Sequence, residues 1–277
     1  MLCEAQDRLR AARVEPAGRR WVEAGDACDI HFADAPKTAR EALEGMIDGV
    51  DVVVQPAAER SRLLLVTDMD STVITVECID ELADYAGVKA EVAAVTEQAM
   101  RGELDFAAAL RARVALLRGL DAATVDRCHA ERVRLMPGAT TLVRTMRARG
   151  AYTLLVSGGF TVFADRVAAE IGFDRSIANR LGTASGSLDG TVAEPILGAA
   201  AKRSALIEAA AARAVPIETT LAVGDGANDA PMLAAAGLGV AYHAKPAAEE
   251  AAGAVLRHAD LDALLYAQGI PRRDWVS

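Results

Sequence analysis

Apolar residues recur along this chain with two periods. Short runs at Leu63–Val66, Tyr152–Val156, Thr220–Val223 and Leu238–Ala241 read as strands buried on both faces. Between the later runs the spacing is helical: Phe160, Phe163, Val167 and Ile171 share a face, and a helix is predicted over about 198–213. Strands separated by helices imply an α/β protein with a parallel sheet. Residues 78–135 are helical in pattern throughout. Ile79, Leu82, Ala83 and Ala86 form one face, Val88, Val92, Val95 and Ala99 a second, and Phe106, Leu110 and Leu117 a third. An all-helical insert between the first and second strands is too long for a loop and reads as a cap. Thr183–Val192 holds the turn signals Ser185-Gly186 and Asp189-Gly190 and predicts a hairpin.

The first 60 residues differ in flavour. Cys28–Phe32 reads as a strand, Thr38–Ile47 as a helix and Val50–Val54 as a β-branched run, which predicts a small βαβ appendage. The expected organisation is an appendage at 1–60, a catalytic core at 61–76 and 136–277, and a helical cap at 77–135.

Composition narrows the function classes. The 277 residues are 52% hydrophobic and 25% charged, within the globular range. A formal charge of −9 argues against a protein built to grip nucleic acid or anionic lipid. Cys3, Cys28, Cys78 and Cys128 form no CxxC pair, so neither a disulfide framework nor a zinc cluster is expected. No apolar run approaches the ~18 residues of a membrane span, and the start carries no apolar leader. The expected setting is cytoplasmic, with a small molecule rather than nucleic acid or membrane as partner.

The polar, glycine-rich stretches follow strand ends, where open α/β sheets form their sites. Asp68 and Asp70 lie in Thr67-Asp68-Met69-Asp70-Ser71-Thr72. Such a pair alone is ordinary turn chemistry, with Ser71 suited to a cap. Asp225 and Asp229, in Gly224-Asp225-Gly226-Ala227-Asn228-Asp229, change that. Carboxylates gathered at one sheet edge repel unless a cation lies among them. Oxygen donors with no nearby histidine or cysteine point to Mg²⁺ over zinc. Ser157-Gly158-Gly159 offers a hydroxyl and backbone N–H groups to an anion, although alone it is a plain turn. Lys202 alone reads as one more surface lysine.

Together these groups describe phosphoryl transfer. A carboxylate nucleophile, with a reference pKa of ~3.9, needs little activation at neutral pH. Its difficulty is repulsion from the phosphate, which a cation, Lys202 and N–H donors would offset. A second carboxyl could protonate the leaving alkoxide and then deprotonate water. In the cap, Arg113 lies on the stripe of Phe106, Leu110 and Leu117. Either its stem packs there while its head reaches water, or it faces a substrate carboxylate. Glu77, at the start of the cap, is either an ordinary first-turn acid or a partner for a substrate ammonium. One acid and one base suit a zwitterionic amino acid.

Taken in order, Asp68-Met69-Asp70-Ser71-Thr72, Ser157-Gly158-Gly159, Lys202 and Gly224-Asp225-Gly226-Ala227-Asn228-Asp229 resemble the four motifs of the haloacid dehalogenase superfamily over about residues 60–270. The pattern is most similar to the phosphoserine phosphatase family. The resemblance implies a Rossmann-like core with helices on both faces, an inserted helical cap and the small α/β appendage. It implies Asp68 as nucleophile and Asp70 as general acid/base. Asp68, the backbone carbonyl of Asp70, and Asp225 would ligate Mg²⁺, supported from behind by Asp229. Ser157, Gly158 and Lys202 would hold the phosphoryl group, assisted by Asn228. Glu77 and Arg113 would bind the substrate's ammonium and carboxylate, and Met100 and Phe106 would shape the apolar part of the pocket. The implied reaction is hydrolysis of O-phospho-L-serine to L-serine and phosphate through an aspartyl-phosphate, the last step of serine biosynthesis. Two alternatives stand beside it. A phosphatase for phosphothreonine or a sugar phosphate would keep the core motifs and lose the Glu77/Arg113 logic. A non-enzymatic phosphoacceptor switch has no use for Asp70 or a cap. Related ion pumps carry threonine where Asp70 stands, which favours a phosphatase. A homodimer is the candidate assembly, with residues 1–60 as a structural or dimerisation element.

Overall fold

The structure, a computed structural model, describes residues 2–277. It begins with α1 (Leu2–Ala11), β1 (Gly18–Glu23), β2 (Ala27–His31) and α2 (Pro36–Leu43). β1 and β2 pair antiparallel, and Ala5, Leu9, Ala39, Leu43 and Ile47 form a small core of their own. The predicted βαβ appendage is therefore corrected to an αββα unit. Val50–Val54 forms no ladder with it; Val52 makes a single antiparallel bridge to Val255 on the edge of the main sheet. Three contiguous valines satisfy a strand pattern, but Asp51 fixes the segment differently. Its carboxylate accepts the backbone N–H groups of Arg257, His258 and Ala259 at 2.8, 3.1 and 2.8 Å. α1 and β1 had no clear signal, because most of their residues remain partly exposed and polar.

The main sheet follows with β3 (Leu64–Thr67). Four helices come next: α3 (Cys78–Ala86), α4 (Lys89–Met100), α5 (Phe106–Leu116) and α6 (Ala123–Arg132). The chain then alternates through α7 (Ala139–Ala148), β4 (Tyr152–Phe160), α8 (Thr161–Ile171) and β5 (Arg175–Asn179). A hairpin of β6 (Leu181–Ala184) and β7 (Ser187–Val192) precedes α9 (Ala199–Ala212) and β8 (Thr220–Gly224). The remaining elements are α10 (Ala230–Ala235), β9 (Leu238–Tyr242), α11 (Pro246–Ala251), β10 (Ala254–Leu256) and α12 (Ala263–Ala267).

The six strands run parallel in the order β10-β9-β8-β3-β4-β5. Side chains alternate along each strand, so one sheet feeds two cores. Leu64, Val66, Leu154, Val156 and Ala222 face α9, α10 and α11 through Leu206, Met232 and Ala248. Leu65, Leu155, Leu221 and Val223 face the other way, onto Leu142, Phe163, Val167 and Leu264. That second core continues without a break into the helical insert through Leu82, Leu110, Val114 and Leu117. The insert joins the sheet through two paired segments: Ile74 bridges Leu135, and Thr75 N–H donates to the Arg134 carbonyl at 3.0 Å.

Chain order reverses around β3. The connection goes out to β4 and β5 on one side and returns to β8 on the other. The crevice at such a switch point lies beyond the C-terminal ends of β3, β4 and β8.

The amino-terminal unit is held to the core by polar contacts. Arg60 donates to both oxygens of Asp29 at 2.7 and 3.0 Å, and Arg40 reaches the Ala252 carbonyl at 2.8 Å. Charge-assisted bonds of this kind are worth about 1.5–3 kcal/mol each when part-buried. Arg60→Ala should lower amide-exchange protection in α1 and α2 while leaving β3 and β8 unchanged. Equal loss of protection in both regions would show that the unit and the sheet unfold as one.

Candidate active site

Asp68 follows β3 and extends its ladder by one bond, its N–H donating to the Val223 carbonyl at 2.9 Å. The chain then folds tightly. The N–H groups of Thr72, Val73 and Ile74 all converge on the Met69 carbonyl at 2.9–3.2 Å, and the Met69 side chain is fully buried. Ser71 takes up the strain with φ +55°. This loop points the Asp68 carboxylate into the crevice. The Met69 N–H and Lys202 Nζ both engage Asp68 Oδ1 at 2.7 Å. Oδ2 is thereby left for another partner.

Lys202, on the first turn of α9, has no exposed surface. Its Nζ bridges Asp68 Oδ1 and Asp229 Oδ1, each at 2.7 Å. Burial disfavours its charge, but the two carboxylates outweigh burial and raise its pKa. Asp229 also accepts the Gly226 N–H on Oδ2 at 3.0 Å. Asp225, after β8, accepts from Thr72 Oγ1 at 3.1 Å.

Carboxylate oxygens of Asp68, Asp225 and Asp229 lie within 4.8 Å of one another, all three residues buried. One ammonium faces three carboxylates there. Burial, and then Asp229, pushes Asp68 well above the ordinary carboxylate range despite Lys202. The same two causes push Asp225 up to about 6. An all-oxygen cluster with excess negative charge fits a divalent cation, which would supply the missing charge.

Asp70 stands on the opposite side of the loop. Its Oδ1 accepts the Cys78 N–H at 3.3 Å, and a Cβ at Gly159 would stand 2.9 Å from its Oδ2. Glycine at 159 is what lets this carboxyl lie against the end of β4. Burial, then the nearby Glu77, pushes Asp70 up to about 7.

Ser157 and Gly158 lie within the last residues of β4 and not after it, but the ladder to β5 is interrupted between Val156 and Phe160. The break frees the local backbone from strand pairing. Ser157 Oγ accepts the Gly159 N–H at 2.8 Å. Phe106, from the helical insert, lies over this turn. A Cβ at Gly158 or at Gly198 would come within 3.1 Å of its ring.

Ser71 Oγ donates to Glu77 Oε1 at 2.8 Å and holds that carboxylate at the mouth of the insert. Arg113 is partly buried on α5, with Nε on the Ala109 carbonyl at 3.4 Å. Burial lowers its pKa, opposed by the negative charges of Asp80, Glu77 and Asp70. Asn228 is half-buried on the loop before α10. Met100 is not brought to the crevice: at the end of α4 it is 82% exposed.

Three residues of the site escaped the sequence reading. Thr72 holds Asp225, and Cys78 supplies the N–H on Asp70. Asn179, 3% exposed, donates to the carbonyls of Gly158 and Leu197 at 2.9 and 3.2 Å and accepts the Leu197 N–H at 2.7 Å. It clamps the Ser157-Gly158 turn to the segment leading into the Lys202 helix. Thr72 was readable beside Asp70, whereas Asn179 stands alone on a strand end with no motif around it.

Residues 65–234 match the model of the haloacid dehalogenase-like hydrolases. A phosphoserine phosphatase of Streptomyces coelicolor is 48% identical over 285 residues, covering 96% of this chain and 69% of that protein. The chain belongs to the haloacid dehalogenase-like hydrolases, in their phosphoserine phosphatase family. A phosphoserine phosphatase of Polaromonas sp. is 47% identical over 73% of this chain and 88% of its own. A solved structure described as a phospho-aspartyl intermediate analogue of phosphoserine phosphatase superposes with a TM-score of 0.69 at 37% identity, over 74% of this chain and 98% of that one. Members of the wider family use a divalent metal, in keeping with the buried acidic cluster. Among the described residues, no helix is long and apolar enough to cross a membrane.

The raised carboxylates set a pH dependence. Asp225 at about 6 and Asp70 at about 7 bind protons more tightly in the metal-free fold than in the unfolded chain. Their contribution to stability is present at low pH and lost as pH rises through about 6 to 7. A divalent cation at the acidic cluster replaces the proton on Asp225, so its addition should raise Tm more at about pH 8 than at about pH 5.5. Equal gains at both values would contradict this charge balance.

Proposed function

We propose that this chain hydrolyses O-phospho-L-serine to L-serine and phosphate through an aspartyl-phosphate on Asp68, closing serine biosynthesis. The observation that carries the reading is the buried Asp68–Lys202–Asp229 bridge beside Asp225, with Asp70 poised across the loop. Asp68 Oδ2 attacks phosphorus in line with the seryl oxygen. Lys202, Ser157 and the backbone N–H of Gly158 meet the charge on the phosphoryl oxygens, with Asn228 assisting. Asp70, at about 7, holds a proton for the leaving alkoxide. Once the alcohol has left, the same carboxylate takes a proton from water as that water attacks the phosphoaspartate.

The metal in this reading is Mg²⁺, which Asp68, the Asp70 carbonyl and Asp225 would hold, with Asp229 supporting the set. When bound it offsets charge on the phosphoryl oxygens. The cap spans residues 77–135 and the core 61–76 and 136–277. Glu77, oriented by Ser71, takes the substrate ammonium, and Arg113 takes its carboxylate. Phe106 closes the site over the phosphoryl group and excludes water, and Met100 has no part in the pocket in this arrangement. A cytoplasmic setting accords with this metabolic role, and a homodimer through the amino-terminal unit is its proposed assembly.

Phosphate release should be fast from O-phospho-L-serine and slow from phosphothreonine and glycerol phosphate, and excess EDTA should abolish it. Preference for the other esters would retain the core chemistry and overturn the substrate. Asp68→Asn should reduce kcat by at least about 10³-fold while the fold is retained, because Asp229 still pairs with Lys202. Arg113→Ala should raise KM for phosphoserine by about 10–100-fold, the scale of a lost bidentate carboxylate contact. An unchanged KM would remove Arg113 from substrate recognition.

A further inference from the structure

The β6–β7 hairpin pairs with the helical insert through its backbone. Gly119 N–H donates to the Leu188 carbonyl at 2.8 Å, Leu188 N–H to Leu120 at 2.8 Å, and Ala122 N–H to Gly186 at 2.9 Å. Asp121 and Ser187 complete an antiparallel bridge. Residues just after α5 thus act as a third strand on a hairpin that springs from the core. Leu181 and Leu188 are buried in the same cluster as Leu110, Val114 and Leu117 of the insert.

The approach is close. Gly190, at φ +79°, lies against α5: a Cβ there would stand 3.0 Å from Arg118 Cβ and 3.4 Å from Ala115 Cα. Just beyond β7, Glu194 accepts from Arg111 Nε at 3.1 Å. The other end of α5 is fixed where Phe106 seats on Gly158 and Gly198. α5 is therefore supported at both ends, and Arg113 lies between the two supports.

We propose that the β6–β7 hairpin is a strut that sets the height of α5 above the sheet. It fixes the separation between Arg113 and the phosphoryl site, and so selects phosphate esters by the distance from their phosphate to their carboxylate. Gly190 and Glu194 are positioning residues that act through α5 and touch no substrate. The proposal rests on Arg113 as the carboxylate ligand. A core hairpin bonded to the cap by three backbone bonds also requires the two to move together, or those bonds to break, whenever α5 lifts.

The test compares O-phospho-L-serine with O-phosphoethanolamine, which lacks the carboxylate, in the full-length protein. Gly190→Ala pushes α5 off the hairpin. It should raise KM for phosphoserine about 5–10-fold with kcat within about twofold, because small displacements of an orienting group are costly. Kinetics with phosphoethanolamine should not change. Glu194→Ala, an exposed change that leaves folding intact, should shift the same KM in the same direction by about twofold, the scale of an exposed ion pair. In the double variant Gly190→Ala/Arg113→Ala, KM should equal that of Arg113→Ala alone, because the strut acts only through that arginine. If Arg113→Ala leaves KM unchanged, the arginine reading fails and the strut falls with it. If Arg113→Ala raises KM while Gly190→Ala and Glu194→Ala do not, the strut alone is overturned. Equal losses on both substrates would mean that the hairpin only supports the fold.

Discussion

A fully buried lysine between two buried aspartates is the constraint around which the rest of the site is built. Lys202 Nζ lies 2.7 Å from both Asp68 and Asp229; Lys202 and Asp229 have no exposed surface, and Asp68 keeps only a small opening to the crevice. An ammonium in such a place survives only with carboxylates on it, and those carboxylates survive only with a cation near them. The single lysine does not suffice for three buried acids, as the upward shifts of Asp68 and Asp225 show. A divalent cation would neutralise that surplus, which otherwise repels an incoming phosphoryl group. Asp68 remains a nucleophile because Lys202 and the Met69 N–H tie down one of its oxygens and leave the other.

The sheet topology supplies these groups from separate parts of the chain. Asp68 comes from the end of β3, Ser157 from β4, Asp225 from β8 and Lys202 from α9, and the three strands are neighbours only because the order reverses at β3. Small residues make the convergence fit. Gly159 admits the Asp70 carboxyl, and Gly158 and Gly198 admit the Phe106 ring from the insert. The same core cluster runs through the insert and the sheet, so the insert packs directly over the crevice.

Much of this was legible in the sequence because burial on both faces of a parallel strand forces apolar runs. Leu64–Val66 and Leu221–Val223 could hardly be anything else, and the acids that follow them stand out by contrast. In the amino-terminal unit the strand near Cys28–Phe32 and the helix near Thr38–Ile47 are as expected, whereas α1 and β1 escaped because they are half-exposed. Arg19 and Arg20 in β1 mask a strand, and Val52–Val54 mimics one while Asp51 commits the segment to capping the loop after β10. Asn179 and Met100 show the other limit. A lone buried amide carries no pattern, and an apolar residue at a helix end carries no sign that it faces solvent.

The account stands or falls on Asp68 becoming covalently phosphorylated. The direct measurement is an acid quench of the protein turning over ³²P-labelled O-phospho-L-serine, followed by peptide mapping, in the natural protein and in Asp70→Asn. The predicted result is label on the peptide carrying Asp68, formed more slowly but longer-lived in an unlabelled chase in Asp70→Asn, because that change removes both the proton for the alkoxide and the base for water. Phosphate release with no label on that peptide in either protein would contradict it, and would make Asp68 a metal ligand and nothing more.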